Sequence, residues 1–190
     1  RTAETFYHDK WANVKKGIQK GDYVFIAFGL NDFYRTPTYD TELTKEEAYH
    51  KYLNLLCTEA KEAGANVIFT TITPNNPKTG KLAAQDNLTN WSGYIKDVAA
   101  QNNAVCLDIN AVLRKIYYYD EALGKETEEK GAESYKQYFL SPEAMERFKE
   151  YPISDDMKNK AATYGDWTHV NEDGANLIAR TIAEELAKSQ

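Results

Sequence analysis

Two short stretches carry side chains whose types and spacing could do chemistry. Gly29-Leu30-Asn31-Asp32 closes an apolar run, and Asp166-Trp167-Thr168-His169 precedes the last helical pattern. A carboxylate three residues ahead of a histidine on a tight loop can accept a hydrogen bond from one ring nitrogen. That fixes the tautomer and leaves the other nitrogen as a base. The same spacing also describes a surface histidine beside a helix cap, here Asn171. Asn31 offers an amide donor that can be aimed at a developing oxyanion, with Asp32 fixing its loop by accepting backbone N–H groups. An asparagine after a strand-ending glycine is equally an ordinary turn residue, because it tolerates left-handed backbone.

Other candidates read as structural. His8 and His50 fall in helical, charged contexts and are expected to be solvated. Cys57 sits on an apolar helix side and Cys106 inside a strand, so both read as small buried hydrophobes. No spacing of metal ligands occurs, so no metal is expected. Asp155-Asp156 is an acidic pair on a loop. Asn87-Leu88-Thr89 and Asn90-Trp91-Ser92 match the glycosylation acceptor pattern, which recurs by chance.

The elements that must position these residues alternate. A helix is expected over Asp9–Lys20, with Trp11, Val14 and Ile18 on one face. Tyr23–Phe28 is continuously apolar, as a strand buried on both faces would be. Thr44-Lys45-Glu46-Glu47 is a capping box that opens a helix to about Ala63, with Ala48, Tyr52, Leu55, Leu56 and Ala60 inward and Gly64 as the stop. Asn66–Ile72 predicts a second buried strand, and residues 73–85 a loop. A helix over Asp86–Asn102 turns Leu88, Trp91, Ile95 and Val98 inward. Ala104–Ile109 is a third strand, followed by a helix over Ala111–Leu123. Residues 124–165, rich in Lys, Glu and Tyr, read as short helices on a polar surface insertion, with Ser141-Pro142-Glu143 as one helix start. The final helix spans Glu172–Lys188, with Ala175, Ile178, Ile182 and Leu186 inward.

The order α-β-α-β-α-β-α predicts an α/β fold, a parallel sheet with helices on both faces. In such sheets ligands bind beyond the carboxyl ends of the strands, where the Asn31 turn falls. Only three strands are legible, however, and a three-stranded parallel sheet leaves apolar edges open. The architecture looks unfinished.

Composition narrows the function. The chain has 190 residues and a net charge of −6, one domain in length but without the basic excess that phosphate neutralisation needs, so no nucleic-acid partner is expected. No apolar run reaches the roughly 20 residues of a membrane helix, so no membrane partner is expected either. Fourteen tyrosines suit a surface that handles neutral polar ligands such as sugars. The chain starts at Arg1 without an initiator methionine, so either a targeting segment has been removed or the start of the gene product lies elsewhere.

Taken together, the two stretches resemble blocks of the SGNH (GDSL-type) hydrolases. Gly-Asp-Tyr-Val-Phe-Ile-Ala-Phe-Gly-Leu-Asn-Asp at 21–32 is similar to their third block, and Gly-Asp-Trp-Thr-His-Val-Asn-Glu-Asp-Gly-Ala at 165–175 to their fifth. The nearest branch is the rhamnogalacturonan acetylesterase group, and Arg1 to Phe6 with Trp11 resembles the stretch after that group's second block. The resemblance implies a three-layer α/β/α fold of flavodoxin-like type, as a single domain over 1–190 with 124–165 inserted. It implies His169 as general base, Asp166 as its orienting carboxylate and Asn31 as an oxyanion donor, supported by Gly29, Asp32 and Thr168. The implied reaction is deacetylation of a pectic, rhamnogalacturonan or xylan polysaccharide or oligosaccharide, without cofactor, by a secreted or periplasmic protein.

The departures are as informative. The family's nucleophile lies in a Gly-Asp-Ser block, and no such block occurs here. Ser92, Ser134, Ser141, Ser154 and Ser189 lack that context. The second block's glycine, the other oxyanion donor, would fall just before Arg1. The expectation is therefore that the first two strands and the serine lie outside this chain, as an upstream segment or a separate chain, and that Asp166, His169 and Asn31 are the portion of the machinery present. Glu4 stands where relatives often carry a basic residue. The alternatives are an SGNH lipase or acylhydrolase, or a non-catalytic carbohydrate-binding remnant.

Overall fold

The computed structural model describes residues 1–75, 82–142, 144, 154–156, 159 and 166–189. By their contacts the residues divide into two compact units. The first comprises Arg1–Ile72, Asn87–Asn110 and Glu185–Gln190, the second Thr73–Asp86 and Ala111–Glu184.

The first unit is built on a parallel sheet. Strands β1 (Tyr23–Ile26), β2 (Asn66–Thr70) and β3 (Val105–Leu107) lie in the order β1-β2-β3. Tyr23 pairs with Asn66 and Ile26 with Phe69, while Ile68 pairs with Val105. Parallel neighbours need a crossover, and helices supply both. Helix α4 (Lys45–Glu62) joins β1 to β2, and α5 (Leu82–Gln101) joins β2 to β3. The expected capping box is present: Thr44 Oγ1 accepts from Glu47 N–H at 3.2 Å, and Glu47 Oε2 accepts from Thr44 N–H at 2.8 Å. Both helices pack on one sheet face, where Tyr52, Leu53, Leu56, Trp91, Ile95 and Val98 cover Ile26, Val67 and Phe69. The expected inward stripe of α5, from Leu88 to Val98, is buried throughout.

Three sequence expectations are corrected. The first helix begins at Ala3 rather than Asp9, capped by Thr2, which accepts from Thr5 N–H at 3.1 Å. It runs as α1 (Ala3–Phe6), a π turn (Tyr7–Trp11) and α2 (Ala12–Lys15), with Val14 at 47 % exposure while Trp11 is buried. Strand β1 is not buried on both faces. Tyr23 is 66 % and Phe25 47 % exposed, whereas Ile26 is buried. Half-exposed aromatics forfeit on the order of 1 kcal/mol each relative to full burial. The 124–165 region is not merely a polar surface.

That region builds much of the second unit's own core. Helix α6 (Ile109–Tyr118) leads into a short antiparallel pair, β4 (Tyr119–Asp120) with β5 (Lys125–Glu126), and then α7 (Glu128–Tyr138). Thr127 caps α7 by accepting from Lys130 N–H at 3.1 Å, and the Glu128 and Glu129 side chains remain solvated as expected. Strand β6 (Phe139–Leu140) pairs antiparallel with β7 (Asp166–Val170). Tyr117, Tyr118, Tyr135, Phe139 and Leu140 are buried. Several tyrosines therefore fill core rather than a sugar-facing surface. Ser141 opens the next turn by accepting from Ala144 N–H at 3.0 Å; Glu143 lies outside the described residues. The last helix, α8 (Glu172–Lys188), has the expected bounds. Its fully buried stripe is Gly174, Leu177 and Thr181, with Ala175 exposed. No described helix is long and apolar enough to cross a membrane.

Candidate active site

The Asn31 turn lies just beyond the carboxyl end of β1. Gly29 has φ +142°, a conformation that side chains rarely adopt, and a Cβ there would stand 2.5 Å from Ile72 Cδ1 and 2.6 Å from the Tyr49 hydroxyl. Only glycine lets the chain turn this close to its neighbours. It caps helix α3 (Leu30–Tyr34), a single turn closed by Phe33 N–H donating to Gly29 O at 2.8 Å and Arg35 N–H to Asn31 O at 2.9 Å. Tyr49 O–H donates to Phe28 O at 2.8 Å, and its ring stacks on Trp91 at 5.4 Å. Lys45 donates to Phe33 O at 2.8 Å and lies over the Phe33 and Trp91 rings. Within this frame Asn31 is half-buried, and among the described residues its side-chain amide has no hydrogen-bond partner. An amide held by its backbone and uncommitted at its tip is placed to donate to a ligand oxygen.

Asp32 fixes the turn from below. It is 4 % exposed, and its Oδ1 accepts from Ala3 N–H at 2.7 Å, tying the start of α1 to α3. Its Oδ2 is buried without a hydrogen-bond partner. Burial pushes the carboxyl up to about 6, opposed by the backbone N–H groups of Ala3, Asp32 and Gly29. A cavity of about 10 Å³, room for one water, is lined by Thr2, Glu4, Asp32, Arg35, Lys45 and Tyr49 among others.

Glu4 has a role that its residue type did not disclose. It is 2 % exposed, and its carboxylate accepts from Thr38, Tyr39 and Asp40 N–H at 2.7, 3.0 and 2.8 Å. A buried charge is tolerable when several donors surround it. Glu4 therefore clamps the loop that follows α3, and its signal in the sequence was only an acid directly behind a helix cap. His8 is exposed as expected but not isolated: its ring stacks on Tyr39 at 4.2 Å, and Nε2 lies 2.8 Å from the Tyr52 hydroxyl. His50 contacts Asn54 through Nδ1 at 3.1 Å.

His169 and Thr168 lie in the second unit, in β7 rather than in the expected loop. Val170 pairs with Phe139 and Asp166 with the next residue, Leu140, so the three residues between them are displaced as a bulge. His169 is exposed and Thr168 half-buried. The Asp166 backbone belongs to β7, while its side chain lies outside the described residues. The expected cap is present. Asn171 Oδ1 accepts from Gly174 N–H at 3.0 Å, and Nδ2 donates to Gln137 O and Phe139 O at 2.9 and 3.0 Å. Gly29, Asn31 and Asp32 thus come together in one unit, and Thr168 and His169 in the other.

The serines and cysteines divide clearly. Ser92, Ser134 and Ser141 are buried, with hydroxyls donating to Leu88, Tyr117 and Lys136 carbonyls. Ser189 donates to Leu186 O, and Ser154 is exposed. Burial raises both thiols, Cys106 to about 11, which keeps them protonated and unreactive. Both glycosylation patterns lie within α5, where Leu88, Trp91 and Ser92 are buried. Among the described residues no group of three or more His, Cys, Asp or Glu could hold a metal.

The model of the family described as GDSL-like Lipase/Acylhydrolase matches residues 7–182. The chain belongs to that family. Among curated proteins none is significantly similar in sequence. Among solved structures, this GDSL-like chain is similar over its whole length to the YxiM protein of Bacillus subtilis, with TM-score 0.64 and 19 % identity, and it spans 43 % of that chain. It is also similar over 97 % of its length to two acetyl xylan esterases. AlAXEase has TM-score 0.56 and 14 % identity, with 75 % of that chain covered. Axe2 of Geobacillus stearothermophilus has TM-score 0.51 and 19 % identity, with 67 % covered. These likenesses show the fold, a three-layer α/β/α arrangement around a parallel sheet.

Proposed function

We propose that this GDSL-like chain is the larger part of a carbohydrate O-acetylesterase acting on acetylated plant cell-wall polysaccharide, xylan or rhamnogalacturonan, and working outside the cell as a single domain. The carrying observation is the Asn31 turn: an uncommitted amide, rigidly held beyond the carboxyl end of β1, in a family of acylhydrolases. The likeness to two acetyl xylan esterases supports the acetyl preference. In the proposed reaction a serine outside these 190 residues attacks the acetyl carbonyl while His169 takes its proton. Asn31 donates to the oxyanion, and Asp166 orients and stabilises the imidazolium. His169 then returns the proton to the departing sugar hydroxyl. Water hydrolyses the acyl-enzyme by the same route, releasing acetate and restoring the serine. The committed hydroxyls of Ser92, Ser134 and Ser141 support a nucleophile from elsewhere.

The test compares acetate release from acetylated xylo-oligosaccharides with hydrolysis of p-nitrophenyl esters from acetyl to octanoyl, using the full gene product. An acetylesterase loses activity steeply beyond short acyl chains. A flat or rising profile establishes a lipase-like acylhydrolase instead, and sugar binding without turnover establishes a non-catalytic module.

A further inference from the structure

We infer that Tyr34 is the stacking platform for the sugar ring that carries the acetyl ester. The inference deepens the esterase reading and rests on it for the reaction. Helix α3 supplies the geometry. Its hydrogen bonds from Phe33 to Gly29 and from Arg35 to Asn31 close a regular turn. Asn31 and Tyr34, three residues apart, therefore share a face, with Cβ atoms about 5–6 Å apart. Helical side chains lean toward the amino end of the helix, so the Tyr34 ring leans back over the turn that presents the Asn31 amide. Tyr34 is 63 % exposed, and among the described residues its hydroxyl has no hydrogen-bond partner.

The ring has a fixed mount. Phe33 meets it edge-to-face at 4.9 Å and meets the buried Trp91 in the same way at 5.5 Å. Lys45 holds the Phe33 carbonyl. Tyr39, further along the same stretch and also exposed, is committed to the fold: its ring stacks on His8 and its hydroxyl donates to Asp9. A single exposed aromatic needs no explanation. Tyr34 differs because it stands on a held turn beside an uncommitted amide. The chemistry of an ester then selects the ligand. With the Asn31 amide on the acyl oxygen, the group beside it is either the acyl chain or the sugar on the ester oxygen. An alkyl chain gains most in an enclosed slot and little on a ring left in water. A pyranose has a face of C–H bonds, whose partial positive charge suits the negative face of an aromatic ring. Its rim of hydroxyls stays in water or bonds the tyrosine hydroxyl. Binding energy from the sugar, away from the reacting carbon, favours sugar acetates over simple ones.

The test uses the full gene product with Tyr34→Ala and Tyr34→Trp, acetylated xylo- and rhamnogalacturonan oligosaccharides, and p-nitrophenyl acetate. For the oligosaccharide that the parent deacetylates, Tyr34→Ala should raise KM about 10-fold with little change in kcat. The ratio of its kcat/KM to that for p-nitrophenyl acetate should fall by about as much, and Tyr34→Trp should keep the parent's ratio. Calorimetric titration with the deacetylated oligosaccharide should show the same weakening for Tyr34→Ala. An unchanged ratio overturns the inference. So does a loss shared equally by both substrates, which makes Tyr34 a support of the turn, or a loss that grows from acetyl to octanoyl p-nitrophenyl esters, which sets it against the acyl chain. A parent that deacetylates the sugar while Tyr34→Ala leaves the ratio unchanged sinks this inference alone. A parent that binds the oligosaccharide without turnover, with binding weakened by Tyr34→Ala, sinks the esterase reading and leaves the platform. A parent that neither binds nor deacetylates either sugar sinks both.

Discussion

The Asn31 turn of the first unit and the His169 bulge of the second are held in opposite ways. The first is fixed from several sides: Gly29 pressed against Ile72 and Tyr49, Phe28 O bonded by Tyr49, Phe33 O by Lys45, and Asp32 bonded to Ala3. The second projects from a two-residue strand contact, with His169 exposed and Asn171 as the anchor that follows it. An oxyanion donor gains from rigidity, because its worth depends on being aimed before charge develops. A base that must take and return a proton needs access to its partner as well as position.

The largest effects should come from the two glycines at which each region is closest-packed. Gly29→Ala sets a Cβ 2.5 Å from Ile72 at φ +142° and should cost about 3 kcal/mol, read by urea unfolding. Gly174→Ala sets a Cβ 2.1 Å from the Tyr138 carbonyl and should cost about as much. Its strain should appear in exchange at β6 and the start of α8, and strain at the β1 end instead would break the comparison. Asn171→Ala leaves the Gln137 and Phe139 carbonyls and the Gly174 N–H without their side-chain partner, a loss of about 2 kcal/mol. Tyr49→Phe removes one partly buried hydrogen bond, to Phe28 O, and should cost about 1 kcal/mol.

Asp32 sharpens the comparison through pH. Its folded carboxyl lies near 6, above its ordinary value of 3.8, so between those values the folded state holds more proton than the unfolded. The contribution of this group therefore favours folding at pH 4 and weakens as pH rises toward 6 and beyond, by on the order of 3 kcal/mol in all. Asp32→Asn should remove that slope from the difference between variant and parent. An unchanged slope would show that water in the adjoining cavity already solvates Oδ2.

How much was legible follows the physics of each element. The Thr44–Glu47 box and the Leu88–Val98 stripe were legible because local spacing decides them. On α8 the expected Ile178, Ile182 and Leu186 are half-buried, and the fully buried Gly174, Leu177 and Thr181 lie beside them; Gly174 is set by its close approach to Tyr138 rather than by hydrophobicity. Strand β1 read as buried because its residues are apolar, but apolarity reports what a strand is suited to, and its neighbours decide what is covered. The strands β4 to β6 are two residues each, too short to leave a period. At the site, the residue types at 29–32 and 166–169 were readable. The Ala3–Asp32 and Glu4–loop bonds join residues about 30 positions apart, and no local pattern encodes them.

The most direct test of the account is His169→Ala in the full gene product, assayed for p-nitrophenyl acetate hydrolysis beside the parent and the 190-residue chain. The account predicts an active parent, a loss of about 10⁴-fold in kcat/KM for the variant, and no turnover by the 190 residues alone. Hydrolysis by the 190-residue chain, or a variant as active as its parent, would contradict it.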